Sequence, residues 1–146
     1  SPRMRLDVAV NLLTFQALDK GTITVLGGEQ VRPNIHINDI ALLYDFMLRH
    51  ASDIPSGCYN AGFENISILD IANKIKSKIG CNIEVKDSND PRSYRQDSSL
   101  IRSYGFSPSF GVDDAIDDII DAYRNGTLVD KPEWRTVNWM KMSNFK

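Results

Sequence analysis

The sequence predicts a small α/β domain, α+β-like when isolated, in which a small sheet of short strands is surrounded by helices. Short runs rich in Ile, Val and Thr, such as "TITVL" and "NIEVK", are bounded by glycines or turn residues. Between these runs, apolar residues recur at helical spacing. The chain has 146 residues, 42% of them hydrophobic and 25% charged, which fits one globular domain with its own core.

The first part of the chain is predicted to run helix, strand, strand, helix. Apolar residues between Leu6 and Ala17 recur at helical spacing until Gly21 supplies a stop. The run "TITVLGG" predicts a strand closed by glycines, and "PNIHI" alternates as a second strand. Asn38 is predicted to cap a helix that ends near His50.

The second part predicts two more strands and three more helices. The segment "GCYNAG" has the composition of a buried strand, and "NIEVK" predicts another. Ser67 and Asp70 have the spacing of a capping box and open a helix that Gly80 ends. A short helix is predicted from Ser98 to Gly105, and the last helix from Val112 to about Asn125.

Charge and composition bear on the classes of partner. The formal net charge of -2 gives no reason to expect nucleic acid as a partner. No apolar run approaches the roughly 20 residues of a membrane span, so no membrane partner is expected. Cys58 and Cys81 form no CxxC pair and have no metal-site spacing. Free thiols in a reducing cytoplasm are the simplest interpretation.

Arg32 stands directly before Pro33 in "EQVRPNIHINDIA" and is the first candidate site residue. Proline fixes its own φ and biases the preceding residue toward extended backbone, which holds the Cα of Arg32 in place. A guanidinium mounted in this way can grip phosphate oxygens with two parallel hydrogen bonds. The alternative is a surface arginine that pairs with Glu29 or Asp39. The residues alone leave both interpretations open.

A second cluster lies in "DPRSYRQDSS", where Arg92 and Arg95 flank Tyr94. Two arginines and an aromatic ring in a proline-containing loop suit an anionic ligand that bears a flat group. The alternative is a solvated turn whose arginines pair with nearby aspartates. Asn65, in the polar stretch "FENIS", is predicted to face a cleft, although turn chemistry would also explain it.

The aspartate-rich stretch "VDDAIDDIIDAYRNG" predicts a helix with a solvated acidic face rather than a metal site. His36 and His50 have no partner at metal spacing, so no metal ligand and no catalytic histidine are expected. Trp134 and Trp139 lie in a tail that we expect to dock on the body of the domain.

Four motifs in order carry a resemblance to a known family. The segment "SPRMRLDVAVNLLTFQALDKGTITVLGG" resembles a substrate-lining turn, a helix and a G-x-I-T-V-x-G strand, and "VRPNIHINDIALL" is similar to R-D/P-x-x-H/Y-V-x-D-x-A. "GCYNAGFENISILDIANKI" resembles G-x-x-Y-N-x-G-x-x-x-x-S-x-x-E-L-A, and "SYRQDSSLIRSYGFSPSF" resembles Y-x-x-D-x-S-K-x-x-x-x-L-G-F/W-x-P. Over nearly its whole length, the chain resembles the C-terminal half of the extended short-chain dehydrogenase/reductases, the NAD-dependent nucleotide-sugar epimerases and dehydratases.

The resemblance implies a role for each candidate residue. Arg32 would grip the diphosphate of a nucleotide-diphosphate sugar. The family's second diphosphate arginine usually stands in an R-x-G-D element, but the corresponding place here reads "DSND". Arg92, and after it Arg95, are the candidates to replace that arginine. Asn65 falls where some sugar-nucleotide dehydratases place a substrate-contacting asparagine.

The family's cofactor and catalytic motifs are missing from this sequence. It has no G-x-x-G-x-x-G turn, and none of its tyrosines has a lysine four positions on. The resemblance therefore implies that residues 1–146 are the substrate-binding, C-terminal domain, and that the N-terminal domain binding NAD or NADP is absent from this chain. We expect a fragment, inactive alone, of a chain about twice as long. Surfaces that face the missing half are expected to be unusually apolar.

Several alternatives remain open. The reaction of the full-length protein is an epimerisation (an isomerase) or a dehydration (a lyase). The alternative within the same superfamily is an NAD(P)-dependent reductase or a decarboxylase. A free-standing, non-enzymatic module that binds a nucleotide or a protein is the alternative from another class. The base, the sugar and the oligomeric state are not predicted.

Overall fold

The computed structural model describes residues 4–143. Residues 1–3, which belong to the predicted substrate-lining turn, and residues 144–146 of the tail lie outside the described residues. In chain order the elements are α1 (Ala9–Lys20), β1 (Thr22–Leu26), β2 (Val31–Asn34), α2 (Ile37–Arg49), β3 (Glu64–Ser67), α3 (Ile68–Ile79), β4 (Asn82–Lys86), α4 (Ser99–Ser103), α5 (Val112–Arg124), a 3₁₀ turn (Pro132–Trp134) and α6 (Thr136–Met142).

The strands form two pairs, and helices surround them. β1 and β4 are parallel, with Val25 opposite Val85. β2 and β3 are antiparallel, with Pro33 opposite Asn65. The predicted class, a mixed α/β domain with short strands, is therefore confirmed. Among the described residues, no helix combines the length and apolarity needed to cross a membrane.

One hydrophobic core joins α1, α3, α5 and β1. α1 packs against both of the other helices and along β1. Gly21 permits this arrangement, because its left-handed backbone, with φ of 64°, ends α1 and turns the chain directly into β1. Burying each large aliphatic side chain stabilises the fold by about 1.5–3 kcal/mol. The fully buried aliphatic residues include Ile23, Val25, Ile71, Ile75 and Ile116.

The local signals around α3 are confirmed. The hydroxyl of Ser67 accepts a hydrogen bond from the main-chain N–H of Asp70 (3.0 Å) and donates one to the Asp70 carboxylate (2.7 Å). At the other end, Gly80 adopts a left-handed conformation with φ of 79°. Both ends of this helix are therefore set by the residues that the sequence singles out.

The predicted cap of α2 is wrong. The N-cap is His36, whose Nδ1 accepts a hydrogen bond from the main-chain N–H of Asn38 (3.2 Å). The imidazole nitrogen accepts the main-chain hydrogen bond that a Ser, Asp or Asn oxygen usually accepts at this position. As a consequence, β2 ends at Asn34, and the predicted strand "PNIHI" is only partly formed.

The predicted strand at "GCYNAG" is also wrong. Residues 57–63 are irregular, Cys58 is exposed, and the strand lies just after them, at Glu64–Ser67. A strand needs a hydrogen-bonded neighbour, and among the described residues β2 pairs with Glu64–Ser67 instead. The predicted buried strand therefore has no partner strand in the described part of the chain.

The tail docks on the body, as predicted, through Trp134. This side chain is buried, and its main-chain carbonyl accepts a hydrogen bond from the N–H of Leu6 (2.9 Å). Asp7 accepts a second bond from the N–H of Thr136 (2.9 Å), which begins α6. The sequence did not predict α6, since its seven residues are too few to show a clear helical period.

Two valines in one strand pair provide a matched test of the core. Val25 is fully buried, whereas Val85, directly opposite it, is 57% exposed. We expect Val25→Ala to lower the free energy of unfolding by about 2 kcal/mol, because it removes buried methyl groups and leaves a cavity. Val85→Ala should change it by less than about 0.5 kcal/mol. Urea unfolding followed by circular dichroism measures both, and equal effects would contradict this description of the core.

Candidate anion-binding site

Residues 87–98, here called the arginine loop, lie along the β2–β3 pair. At one end of the contact, the main-chain N–H of Val31 donates to the hydroxyl of Ser93 (3.1 Å). The N–H of Tyr94 donates back to the carbonyl of Val31 (3.3 Å). The loop is thereby fixed beside β2, the strand that carries Arg32.

Asn65 fastens the other end of the arginine loop. Its side-chain amide donates to the carbonyl of Gln96 (3.0 Å), and its Oδ1 accepts from the N–H of the same residue (2.9 Å). The buried hydroxyl of Ser98 bridges the N–H (3.1 Å) and the carbonyl (3.3 Å) of Gly62. A Cβ added to Gly62 would clash with the side chain of Gln96 on the loop and would lie 2.6 Å from the Cβ of Pro33 on β2, so only glycine fits here.

The guanidinium of Arg32 is held by two main-chain carbonyls. Its Nη1 donates to the carbonyl of Val31 (2.9 Å) and to that of Arg92 (2.5 Å). The side chain is 20% exposed, so the group is partly shielded and yet reaches the surface. A long side chain constrained at its tip loses less entropy when it binds a ligand, which suits a recognition role.

Asp90 lies between the two arginines. Its carboxylate accepts a two-pronged contact from Arg92, with Nε at 2.7 Å from Oδ1 and Nη2 at 2.7 Å from Oδ2. Nη2 of Arg32 lies 3.6 Å from Oδ2, an ion-pair distance. The hydrogen bonds from Arg92, with the charge of Arg32 as a smaller contribution, lower the pKa of Asp90 to about 2. The carboxylate is therefore charged throughout the physiological range.

An aromatic face completes the cluster. The Arg32 guanidinium lies over the ring of Tyr94, with its Cζ 5.1 Å from the ring centroid, and Tyr94 remains 53% exposed. Arg95 is exposed on the same loop, and within residues 4–143 it forms no ion pair. The site thus offers two guanidinium groups, an exposed ring and one further arginine nearby.

The structure brings three of the four predicted site residues together. Arg32, Arg92 and Asn65 all contact the arginine loop or belong to it, and Arg95 lies on the same loop without joining the cluster. The amide of Asn65 is occupied by main-chain groups of Gln96. Its role as a substrate contact stays a prediction, as do the roles of the arginines.

Among the described residues, neither of the two carboxylates considered as ion-pair partners of Arg32, Glu29 and Asp39, pairs with it. Asp39 is fully buried, and its oxygens accept from the N–H groups of Ser109 (2.9 Å) and Phe110 (3.0 Å). Asp39 therefore anchors the segment before α5 rather than balancing an arginine. The aspartate that does pair with Arg32 is Asp90, 58 positions away in the sequence.

A cleft of about 930 Å³ adjoins this cluster. Its walls are mainly apolar and come from the segment before α1, the β2–α2 turn, α5 and Trp134. Pro33 and Asn34 line it, but none of the four predicted site residues does. The cleft therefore reaches β2 at Pro33, one residue beyond Arg32 in the sequence.

Sequence reasoning missed His36 as a member of this cleft. The imidazole is buried, stacks on Phe110 with 5.0 Å between the ring centroids, and places Nε2 3.2 Å from an oxygen of Asp118. Asp118 lies on α5, far along the chain. No local pattern in the sequence links these two residues, so only the fold could reveal the pair.

The acidic side of α5 is more than a solvated face. Asp113 pairs with Lys74, and Asp117 lies 2.6 Å from Nζ of Lys78, so that α5 and α3 are joined by ion pairs. The hydrogen bond that Lys74 donates to Asp113 raises the pKa of Lys74. Among residues 4–143, no group of three or more His, Cys, Asp or Glu side chains has a metal-binding arrangement.

Comparisons with known proteins establish the fold. No protein-family model matches the chain. The dTDP-glucose 4,6-dehydratase of Bacillus anthracis in complex with NAD is 17% identical, with a TM-score of 0.65, and the match covers 91% of this chain and 42% of that one. The UDP-glucose 4-epimerase of Thermus thermophilus in complex with NAD is 19% identical, with a TM-score of 0.63 and coverages of 80% and 40%. The GDP-mannoheptose C4 reductase of Campylobacter jejuni with NADP bound is 22% identical, with a TM-score of 0.61 and coverages of 70% and 32%.

These similarities confirm the predicted resemblance at the level of the fold. The chain has the fold of part of an extended short-chain dehydrogenase/reductase. It spans 42% of the length of the dehydratase and 40% of that of the epimerase. The three similar proteins are named for three different reactions, so the fold alone does not select one of them.

The contact between Asn65 and Gln96 predicts a specific effect on the arginine loop. Asn65→Ala removes two hydrogen bonds, each contributing about 1 kcal/mol, so the Gln96 amide should exchange its hydrogen roughly 30-fold faster. Asn60→Ala is the control, since Asn60 makes a single longer bond (3.3 Å) to the carbonyl of Asp97. Exchange at Gln96 that is unchanged in Asn65→Ala, measured by NMR, would show that the loop is held by other contacts.

Proposed function

We propose that this chain is the substrate-binding portion of an NAD(P)-dependent nucleotide-sugar epimerase or dehydratase. The observation that carries the proposal is the constrained guanidinium of Arg32, which lies beside Arg92 and over the ring of Tyr94. The fold is that of part of an enzyme superfamily in which the similar proteins named above act on nucleotide sugars.

Arg32 is the group we assign to the diphosphate. A planar guanidinium presents paired N–H donors that match phosphate oxygens, and these charge-assisted bonds are roughly twice as strong as neutral ones. Its position on β2 and its bonds to two carbonyls fix the direction in which the remaining donors point. Partial burial strengthens the attraction to an anion by excluding water.

Arg92 is the second phosphate contact in this proposal. It is 76% exposed, whereas its partner Asp90 is 29% exposed, so its guanidinium can turn toward a ligand at the surface. Arg95 is a more distant candidate for the same contact. Asn65, which was predicted to line the cleft, would act on the substrate indirectly in this proposal, by holding the arginine loop in position.

The cofactor belongs to a part of the protein outside this chain. Among the described residues, the glycine pair after β1, Gly27 and Gly28, leads into the antiparallel strand β2 and not into a helix. It therefore does not build the turn and helix N-terminus that hold a dinucleotide pyrophosphate. NAD or NADP, which takes and returns a hydride, would be held by an N-terminal domain that also supplies the catalytic residues.

The exposed apolar residues of α2 favour the proposal that a partner domain is missing from this chain. The only fully buried residue of this helix is Asp39, although most of its residues are apolar. Tyr44 is 70% exposed and Leu48 is 77% exposed. A groove of about 570 Å³ runs beside the helix, between Leu43 and Tyr59. We propose that the cofactor domain covers this surface, and that the chain alone is inactive.

We place the protein in the cytoplasm. The structure leaves Cys58 and Cys81 as free cysteines, which fits the reducing cytoplasm. A reductase or decarboxylase of the same superfamily is the alternative within the enzyme class. A free-standing module that binds a nucleotide or a protein is the other alternative, and it would keep the arginine site while leaving α2 uncovered.

The first test removes the proposed diphosphate contact. In the natural polypeptide that carries this chain, Arg32→Ala should weaken binding of nucleoside diphosphates by about 1.5–3 kcal/mol, roughly 10- to 150-fold, as expected for a charged hydrogen bond. Titration calorimetry with UDP, GDP, ADP and dTDP would measure the change. Arg124→Ala removes the same charge from the exposed end of α5 and should leave the affinity unchanged. Unchanged affinity in Arg32→Ala would show that Arg32 only forms a surface ion pair and does not contact the diphosphate.

The second test asks whether α2 is covered. With Cys58 replaced by Ser, Leu48→Cys in the isolated 146-residue chain should react with a water-soluble thiol reagent at the rate of an exposed thiol. In the natural polypeptide the same cysteine should react at least tenfold more slowly, because the cofactor domain excludes the reagent. Val85→Cys, on exposed β4, is the control and should react equally in both. Equal reactivity of Leu48→Cys would favour the free-standing module.

A further inference from the structure

The second arginine of the site is already occupied by an anion of the chain itself. Asp90 presents both carboxylate oxygens to Arg92, at 2.7 Å each, and its Oδ1 also accepts the main-chain N–H of Arg92 (3.1 Å). A phosphate that bound Arg92 with two parallel bonds would need the same donors. The ligand and the carboxylate therefore exclude each other at this guanidinium.

Asp90 blocks the two arginines to different extents. It satisfies Arg92 by paired short hydrogen bonds, while its nearest contact with Arg32 is an ion pair of 3.6 Å. The hydrogen bonds of Arg32 go from Nη1 to main-chain carbonyls, so Asp90 interacts with this side chain through charge and not through a hydrogen bond. A ligand with one phosphate can therefore use Arg32 while Asp90 stays on Arg92.

We propose that Asp90 is an internal competitor that masks Arg92, so that a diphosphate must displace this carboxylate to gain its second arginine contact. This inference rests on the proposed function, since it concerns the same site. It assigns to Asp90 a role in setting affinity, and it names Arg92 rather than Arg95 as the arginine released by ligand binding.

The competition has a definite electrostatic and geometric basis. Asp90 and Arg92 are two positions apart in one loop, so the effective concentration of the carboxylate at the guanidinium is high. A free anion must overcome that tethered partner, and the affinity of a diphosphate is lowered by the fraction of time that Arg92 is masked. Asp90 is partly exposed, so it can turn into solvent once displaced.

The arginine loop does not depend on Asp90 for its position. Ser93 is fastened to β2, Gln96 to Asn65, and Ser98 to Gly62. Replacing the carboxylate by the isosteric amide, Asp90→Asn, should therefore leave the loop in place while it weakens the hold on Arg92. The exchange rate of the Gln96 amide reports whether the loop has remained intact.

The experiment compares two inorganic probes in the natural polypeptide that carries this chain. Calorimetric titration with pyrophosphate should give a Kd about five- to tenfold lower in Asp90→Asn than in the unmodified protein, whereas orthophosphate should change by less than about twofold. The gain for pyrophosphate should vanish in Asp90→Asn combined with Arg92→Ala. Asp87→Asn removes the same charge from the same loop, and Asp87 forms no ion pair among the described residues, so this control should give no comparable gain.

The outcomes separate this inference from the proposed function. If pyrophosphate binds in an Arg32-dependent manner but Asp90→Asn binds it no more tightly, masking is wrong and the diphosphate site stands. The same conclusion follows if Asp87→Asn gives an equal gain, or if the gain survives Arg92→Ala. If neither the unmodified protein nor Asp90→Asn binds pyrophosphate, both the proposed function and the inference are overturned.

Discussion

The candidate site depends on the attachment of the arginine loop to the β2–β3 strand pair. Residues 87–98 have no regular secondary structure of their own, and their position comes from side-chain to main-chain hydrogen bonds. The pair of bonds between Asn65 and Gln96 is the clearest of these contacts. The bonds of Val31 to Ser93 and Tyr94 hold the other end, where the carbonyl of Arg92 accepts a hydrogen bond from the Arg32 guanidinium.

The core explains why this strand pair is a firm support. β3 continues directly into α3, whose inner face is fully buried against α1 and α5. Glu64, at the start of β3, accepts the main-chain N–H of Val112 (2.8 Å) and so connects the strand to the first residue of α5. Asp39 holds the segment before α5 from the side of α2. The β2–β3 pair that carries the site is therefore fixed to α3 at one end of β3 and to α5 at the other.

The sequence predicts the parts of this fold that local chemistry determines. The Ser67–Asp70 cap and the left-handed glycines at 21 and 80 act within a few residues, so α1, β1, α3 and β4 were predicted correctly. The predicted strand at residues 57–62 is wrong because a strand forms only where a neighbouring strand pairs with it, and the composition of the segment does not encode that pairing. The same limit applies to the site. Proline after Arg32 indicated a constrained arginine, but the contact with Asp90 joins residues 58 positions apart and required the fold.

The central claim is that the pair of Arg32 and Arg92 is the diphosphate site of a nucleotide-sugar enzyme. The most direct measurement is a crystal structure of the natural polypeptide with a bound nucleoside diphosphate. The account predicts phosphate oxygens within hydrogen-bond distance, about 2.7–3.0 Å, of the Arg32 guanidinium, with Asp90 turned away from Arg92. A nucleotide bound elsewhere, for example deep in the 930 Å³ cleft with Asp90 still paired to Arg92, would contradict it.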